Sequence, residues 1–269
     1  MTDDTKKLIN ESVSQIIEKS KNKIDSLIDK HDKKIHFIPS KYRVLGGLLQ
    51  SMNIQFGNFI EILIQNLLKN DGRYEVIEKF SGKKYNNFKI LKEKETLIDE
   101  YITKCQTSSD GYDLEIEFNK LKENIFLNHK KQNKKNKLIK IKHDIDLLFK
   151  DTENNKIYYA EIKYNDDHDT GKFVDINRKL IKTYAYLLSE FNIDSSEDII
   201  PILFFFNNKK MKGNIYLPEK TNIYRGEKFF NKFLNVKYKE IDDYLSNLSE
   251  SYEIIEMFNN LYKNVMKIK

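Results

Sequence analysis

Apolar side chains recur every three or four positions from Lys6 to about Asp29, through Leu8, Ile9, Val13, Ile16, Ile17, Ile24, Leu27 and Ile28. That period predicts an amphipathic N-terminal helix over residues 6–29 with a solvated, charged outer face. After His36-Phe37-Ile38-Pro39, a second helical stretch carries Leu45, Leu48, Leu49, Met52, Phe56, Phe59, Ile60, Leu63, Ile64 and Leu67, and stops near Asn70-Asp71-Gly72. Being apolar on most sides, it should be a core helix, with a break expected near Gly57. Tyr74 to Phe80 reads as an edge strand turned by Ser81-Gly82. Residues 97–105 and 114–127 read as helices separated by the Thr107-Ser108-Ser109-Asp110-Gly111 loop.

Farther along, the period shortens. Leu138 to Phe149 and Ile157 to Tyr164 read as strands joined by the polar turn Lys150-Asp151-Thr152-Glu153-Asn154-Asn155, a β-hairpin over residues 138–164. An acidic loop from Asn165 to Gly171 follows, and Val174 to Phe191 returns to helical spacing. Ile199 to Phe206 is a short continuous apolar run that fits a buried central strand. After an irregular stretch with Pro218 and Gly226, residues 225–269 form a C-terminal helical region, with helix from Ile241 to about Met266. With no internal repeat and no long linker, one α/β domain over residues 1–269 is the economical organisation.

Composition narrows the class. The 269 residues, 39% of them hydrophobic, can bury roughly three quarters of the unfolded surface in one core. Seventeen Phe and 16 Tyr supply the apolar mass that a 33% charged fraction would otherwise suggest is missing, so the chain is not disordered. No stretch reaches the roughly 18 uninterrupted apolar residues of a membrane span, and no apolar segment follows the charged N-terminus, so a cytoplasmic protein is expected. The lone Cys105 cannot form an internal disulfide or a multi-thiolate metal site. The net charge is only +6, but seven lysines and no acid fall between His129 and Lys142, which suits phosphate contact.

The chemistry concentrates on the hairpin. Strand alternation sets Glu161 and Lys163 on one face, with Ala160, Ile162 and Tyr164 on the other, and puts Asp144 and Asp146 together on the preceding strand. Carboxylates on otherwise apolar strands are costly unless a cation meets them. A divalent ion resolves that cost. Two carboxylates beside a lysine are the parts needed to hold Mg²⁺, lower the pKa of a water and attack a phosphodiester. The competing explanation pairs Asp144 and Asp146 with lysines across a solvated hairpin and leaves Lys163 a surface cation. Glu-x-Lys occurs once in the chain, at 161–163, whereas Asp4-Thr5-Lys6 and Asp32-Lys33-Lys34 sit in or beside the N-terminal helix.

Asp146 followed by Glu161-Ile162-Lys163 on a hairpin that leads into a helix resembles the PD-(D/E)xK nuclease superfamily, and more narrowly a type II restriction endonuclease. Phe56-Gly57-Asn58-Phe59-Ile60-Glu61 and the run from Glu161 to Lys172 are similar to one group of those enzymes, and the likeness covers about residues 37–70 and 138–190. The resemblance implies a restriction-endonuclease-like core, a central mixed β-sheet flanked by helices, with additional N- and C-terminal helices. It implies Asp146, Glu161 and Lys163 as catalytic residues, Asp146 and Glu161 as Mg²⁺ ligands, and Glu61 as a further ligand. Ile145 stands where the motif has Pro, so Asp144 stays open as a substitute for Asp146. The implied reaction is Mg²⁺-dependent, site-specific hydrolysis of both strands of double-stranded DNA to 5′-phosphate ends. A homodimer and a cognate DNA methyltransferase encoded nearby belong to the same expectation.

For DNA binding the candidates are Asn165, Asp166, Asp167 and His168 in the post-catalytic loop, as base contacts, and Lys172, Arg178 and Lys182, as phosphate contacts. Other nuclease and nucleotide chemistries lack their parts. His129-Lys130-Lys131 has Asn136 where a phospholipase-type motif needs Asp, and neither Gly82-Lys83 nor Gly171-Lys172 continues into Ser or Thr as a Walker A loop would. A structure-selective repair or recombination nuclease of the same fold, and a non-catalytic nucleic-acid-binding module, are the two alternatives.

Overall fold

The computed structural model describes residues 1–82, 87–108, 112–130, 137–167, 169–191 and 193–267. Two compact units share the chain: residues 1–67 with 235–269, and residues 68–234.

The first unit is helical. Its N-terminal stretch is two helices, α1 (Asp3–Lys21) and α2 (Ile24–Asp32), where periodicity predicts one over 6–29. Asn22 closes α1 with its backbone N–H on the Glu18 carbonyl, and the Lys23 N–H turns to the Ser20 carbonyl before α2 begins. Ile17 and Ile24 are seven residues apart, about two helical turns, so the apolar phase runs through the break and conceals it. The long helix α3 (Ser40–Asp71) passes Gly57 without interruption. One helical glycine costs only about 1 kcal/mol, which burial of Phe59, Ile60, Leu63 and Ile64 offsets. At the C-terminus, Ser251 caps a new helix by accepting from the Ile254 N–H, so the helix expected from 241 to 266 divides into α8 (Tyr238–Ser249) and α9 (Tyr252–Met266). Ile17, Val44, Leu48, Met52, Ile254, Leu261 and Val265 form the core of this unit.

The second unit holds α7 (Gly226–Phe233) and a mixed five-stranded sheet in the order β1 (Tyr74–Val76), β4 (Leu147–Asp151), β5 (Ile157–Lys163), β6 (Ile199–Phe205) and β7 (Ile223–Arg225). β1 and β4 are antiparallel, as are β4 and β5, while β5, β6 and β7 are parallel. The parallel β5–β6 step needs a crossover, which α6 (Thr170–Glu190) supplies. Ile157, Tyr159, Leu203 and Phe205 pack with Leu180, Tyr184 and Leu188 of α6 and with α4 (Lys92–Thr107) and α5 (Leu114–Lys130). The other face is an aromatic layer, in which Phe204 stacks on Phe229 at 4.1 Å and Tyr158 meets Phe233 edge-on at 5.0 Å.

The expected hairpin over 138–164 is shorter than its apolar pattern suggests. Residues 138–142 form β3, which pairs with β2 (Asn87–Leu91) in a separate antiparallel ribbon, and β4 of the hairpin proper begins at Leu147. Between them, Ile145 bridges to Ser81 and Gly82. Gly82 sits at φ 80°, a backbone conformation that favours glycine. The edge strand read from Tyr74 to Phe80 likewise ends at Val76.

Lys94 is wholly buried in α4, its ammonium donating to Ser189 Oγ at 3.0 Å and to the Ala185 carbonyl at 3.4 Å. Burial pushes it down to about 8 from 10.5. Between those values the unfolded chain keeps a proton that the native protein lacks, so stability rises with pH across that window. Lys94→Met is expected to raise stability by about 1–3 kcal/mol near pH 7. The gain should shrink near pH 9.5, where the native lysine is already neutral; urea unfolding at both pH values checks both statements.

Candidate active site

The hairpin register assembles the site. Leu147 pairs with Ala160, so one step back along β4 and one step forward along β5 Asp146 faces Glu161. Asp146 Oδ2 accepts from the Ile162 N–H at 2.7 Å and from Lys163 Nζ at 3.2 Å. Lys163 Nζ lies 2.8 Å from Glu161 Oε1 and donates to the Ile162 carbonyl at 2.8 Å. The second Glu161 oxygen accepts from Tyr159 OH at 3.3 Å and lies 3.4 Å from His143 Nε2.

This is not a solvated salt-bridge ladder. Glu161 is only 5% exposed, on a strand buried along nearly its whole length. Burial first, and then the Glu161 charge, push the Asp146 carboxyl up. Burial works against the Glu161 charge as well, but Lys163 and the His143 contact outweigh it and hold that carboxyl low. The same two carboxylates outweigh burial at Lys163 and hold its ammonium on.

Two carboxylates face one lysine where uncompensated charge is expensive. Hard oxygen donors facing one half-buried lysine suit a hard divalent ion. Among the described residues no three His, Cys, Asp or Glu side chains gather into a complete cage.

The other sequence candidates distribute unevenly. Asp144 is half-buried two residues before Asp146, and it is Asp146 that meets Lys163 and the Ile162 N–H. Glu61 lies on α3 in the helical unit. Asn165 is half-buried, Asp167 is exposed, and His168 lies outside the described residues. Lys172 is exposed in the first turn of α6, where its N–H reaches the Asp169 cap at 3.0 Å. Arg178 and Lys182, four apart and so on one face of α6, turn to α4: Arg178 pairs with Asp99 at 3.0 Å and Lys182 with Glu95 at 2.6 Å. Their charges are engaged within the fold. Of the basic tract, 131–136 lie outside the described residues, while Lys140 and Lys142 stand exposed on β3, with Lys140 opposite Lys89 of β2.

Three contributing residues, Tyr159, His143 and Arg225, are not singled out by the sequence pattern, and Asp166, expected as a base contact, is buried in an ion pair. Tyr159 shares the face of Glu161 by strand alternation, and His143 directly precedes Asp144, so both were within reach of the pattern. Asp166 and Arg225 pair at 2.8 Å, with Met211 N–H on Asp166 at 2.9 Å, and so pin the loop after β5 to the end of β7. No local spacing links residues 59 positions apart. His143→Ala is expected to weaken divalent-ion affinity about 10-fold or more, since it removes a neighbour that orients Glu161; metal titration of cleavage rates measures it.

Residues 1–249 match the family model described as type II restriction endonuclease, HinfI. The chain belongs to that family. It is also 54% identical, over the full length of both chains, to the type II restriction enzyme HinfI of Haemophilus influenzae. No solved structure matches it. As a HinfI-family protein it is a type II restriction endonuclease, a class of site-specific DNA nucleases that generally use a divalent metal. The mixed five-stranded sheet flanked by helices agrees with the restriction-endonuclease-like core. Among the described residues no helix is long and apolar enough to cross a membrane.

Proposed function

We propose that this chain cuts both strands of double-stranded DNA at a defined sequence, using Mg²⁺ held by Asp146 and Glu161, and leaves 5′-phosphate ends. The observation that carries this reading is the contact of Lys163 Nζ with both carboxylates, two acids to one lysine, beside the buried Glu161. Bound there, Mg²⁺ would lower the pKa of a water and offset charge on the scissile phosphate. Glu161 would be held in its ligating direction by Tyr159 and His143, and Asp146 by the Ile162 N–H. Lys163 would present its ammonium to a non-bridging phosphate oxygen, orienting the phosphate against the cluster. Glu61 is a further ligand in this reading, and Asp144 is the reserve for Asp146.

Exposed Lys89, Lys140 and Lys142 on the β2–β3 ribbon, with Lys172, would track the DNA backbone, while Asn165, Asp167 and His168 read bases. A two-fold symmetric site is cut most simply by a homodimer that presents one cluster to each strand. The protein would act in the cytoplasm, paired in a restriction–modification system with a methyltransferase that shields host DNA. Incubation of purified protein with unmethylated phage DNA, with Mg²⁺ or with EDTA, tests the reading. Discrete fragments with Mg²⁺ alone support it; a smear, or no cleavage on any unmethylated substrate, refutes it.

A further inference from the structure

The helical unit contains a second charged feature that the cleavage chemistry does not use. Between α2 and α3 lies a cavity of about 640 Å³ whose wall includes Lys23, Lys30, Lys34, Arg43, His31 and His36, and no Asp or Glu among the described residues. Gly47 makes the close helix approach possible, since a Cβ there would sit 3.0 Å from Leu27 Cδ2 and 3.4 Å from His31 Nε2. Two of the cations are fixed by neutral groups. Arg43 Nη1 donates to the His31 and Lys34 carbonyls at 2.7 and 3.2 Å, closing the C-terminal end of α2, and Lys23 Nζ donates to Ser51 Oγ at 2.7 Å. Among the described residues, none of Lys23, Lys30, Lys34 and Arg43 pairs with a carboxylate, and the buried atoms Arg43 Nε and His31 Nδ1 have no hydrogen-bond partner.

Four cations around one cavity repel one another, and a concave wall of single sign concentrates the field on an entering anion. The hydrogen bonds of Arg43 and Lys23 hold those two cations in the wall. We propose that this cavity is a phosphate-binding site for the DNA backbone, with Lys30 and Lys34 as its mobile grip and Arg43 and Lys23 as its fixed wall. It rests on the reading of the chain as a DNA-cutting enzyme, and it assigns the helical unit a role in holding the duplex. The contact carries no base information, so it sets affinity and leaves the recognition sequence alone.

The test is the salt dependence of duplex binding in EDTA for the full-length protein and for Lys30→Gln/Lys34→Gln, both on exposed side chains. Loss of two phosphate contacts should flatten the slope of log K against log salt by about 1.8. Cleavage at saturating DNA should stay within about twofold, with the loss appearing in KM. Unchanged slope and KM, beside a wild type that binds and cuts, overturn the phosphate site alone. A wild type that binds no duplex overturns the nuclease reading and this proposal with it. Saturable binding of inorganic phosphate that the variant loses, with no change in slope, assigns the cavity to free phosphate and overturns the DNA contact.

Discussion

Glu161→Gln and Lys163→Ala are each expected to lower the single-turnover rate of DNA cleavage by about 10³-fold or more, the several kcal/mol that a metal-held phosphate transition state draws from its ligands and charge partners. The two substitutions act differently. Glutamine keeps the shape of Glu161 and the Tyr159 contact but offers a neutral oxygen, so the site loses charge without a cavity. Alanine at 163 leaves Asp146 and Glu161 facing each other without the ammonium now 3.2 and 2.8 Å from them. Asp146, already pushed up by burial and by Glu161, should then hold a proton more readily. Both proteins should keep native circular dichroism and bind duplex DNA. Rates within tenfold of wild type in both would remove the cluster from the chemistry.

The second large effect is structural. Arg225→Ala should cost about 3–5 kcal/mol, because it strands the Asp166 carboxylate, which is 1% exposed, without its cation. Arg225 also pairs with Glu219 at 2.8 Å and stacks over Phe205 at 5.4 Å from the ring centre, so its removal loosens the loop that follows the catalytic strand. Burial pulls the Asp166 carboxyl up, yet Arg225 and the Met211 and Lys212 N–H groups hold it below its usual range. This stabilising contribution is present above the unfolded carboxylate pKa, near 4, and is lost as pH falls below it. Asp166→Asn in the Arg225→Ala background should recover part of the loss, which a double-mutant cycle in urea unfolding would register. Additive losses would mean that the pair does not act as a unit.

These two effects fall on opposite sides of what the sequence makes legible. Asp146, Glu161 and Lys163 lie within one local pattern, because strand alternation and a short hairpin fix which side chains meet. The same logic extends to Tyr159, one alternation away, and to the central strand from Ile199. The division of the stretch 138–149 was hidden, since Ile139, Ile141, Ile145 and Leu147 continue a single alternation across two different sheets. The break between α1 and α2 was hidden for the analogous reason, a spacing of two helical turns across it. Arg178 and Lys182 illustrate another limit: a cation near a catalytic helix looks free for phosphate until the helix opposite supplies Glu95 and Asp99. Partners such as Asp166 and Arg225 depend on the tertiary path, which no local period carries.

The most direct test of the cluster is Mn²⁺ binding, followed by electron paramagnetic resonance with uncut duplex DNA present, for wild type, Asp146→Asn, Glu161→Gln and Asp144→Asn. The predicted result is tight Mn²⁺ binding in wild type and Asp144→Asn, and affinity weakened by about 10-fold or more in the other two. Equal binding by all four proteins, or loss confined to Asp144→Asn, would contradict a metal centre built on Asp146 and Glu161.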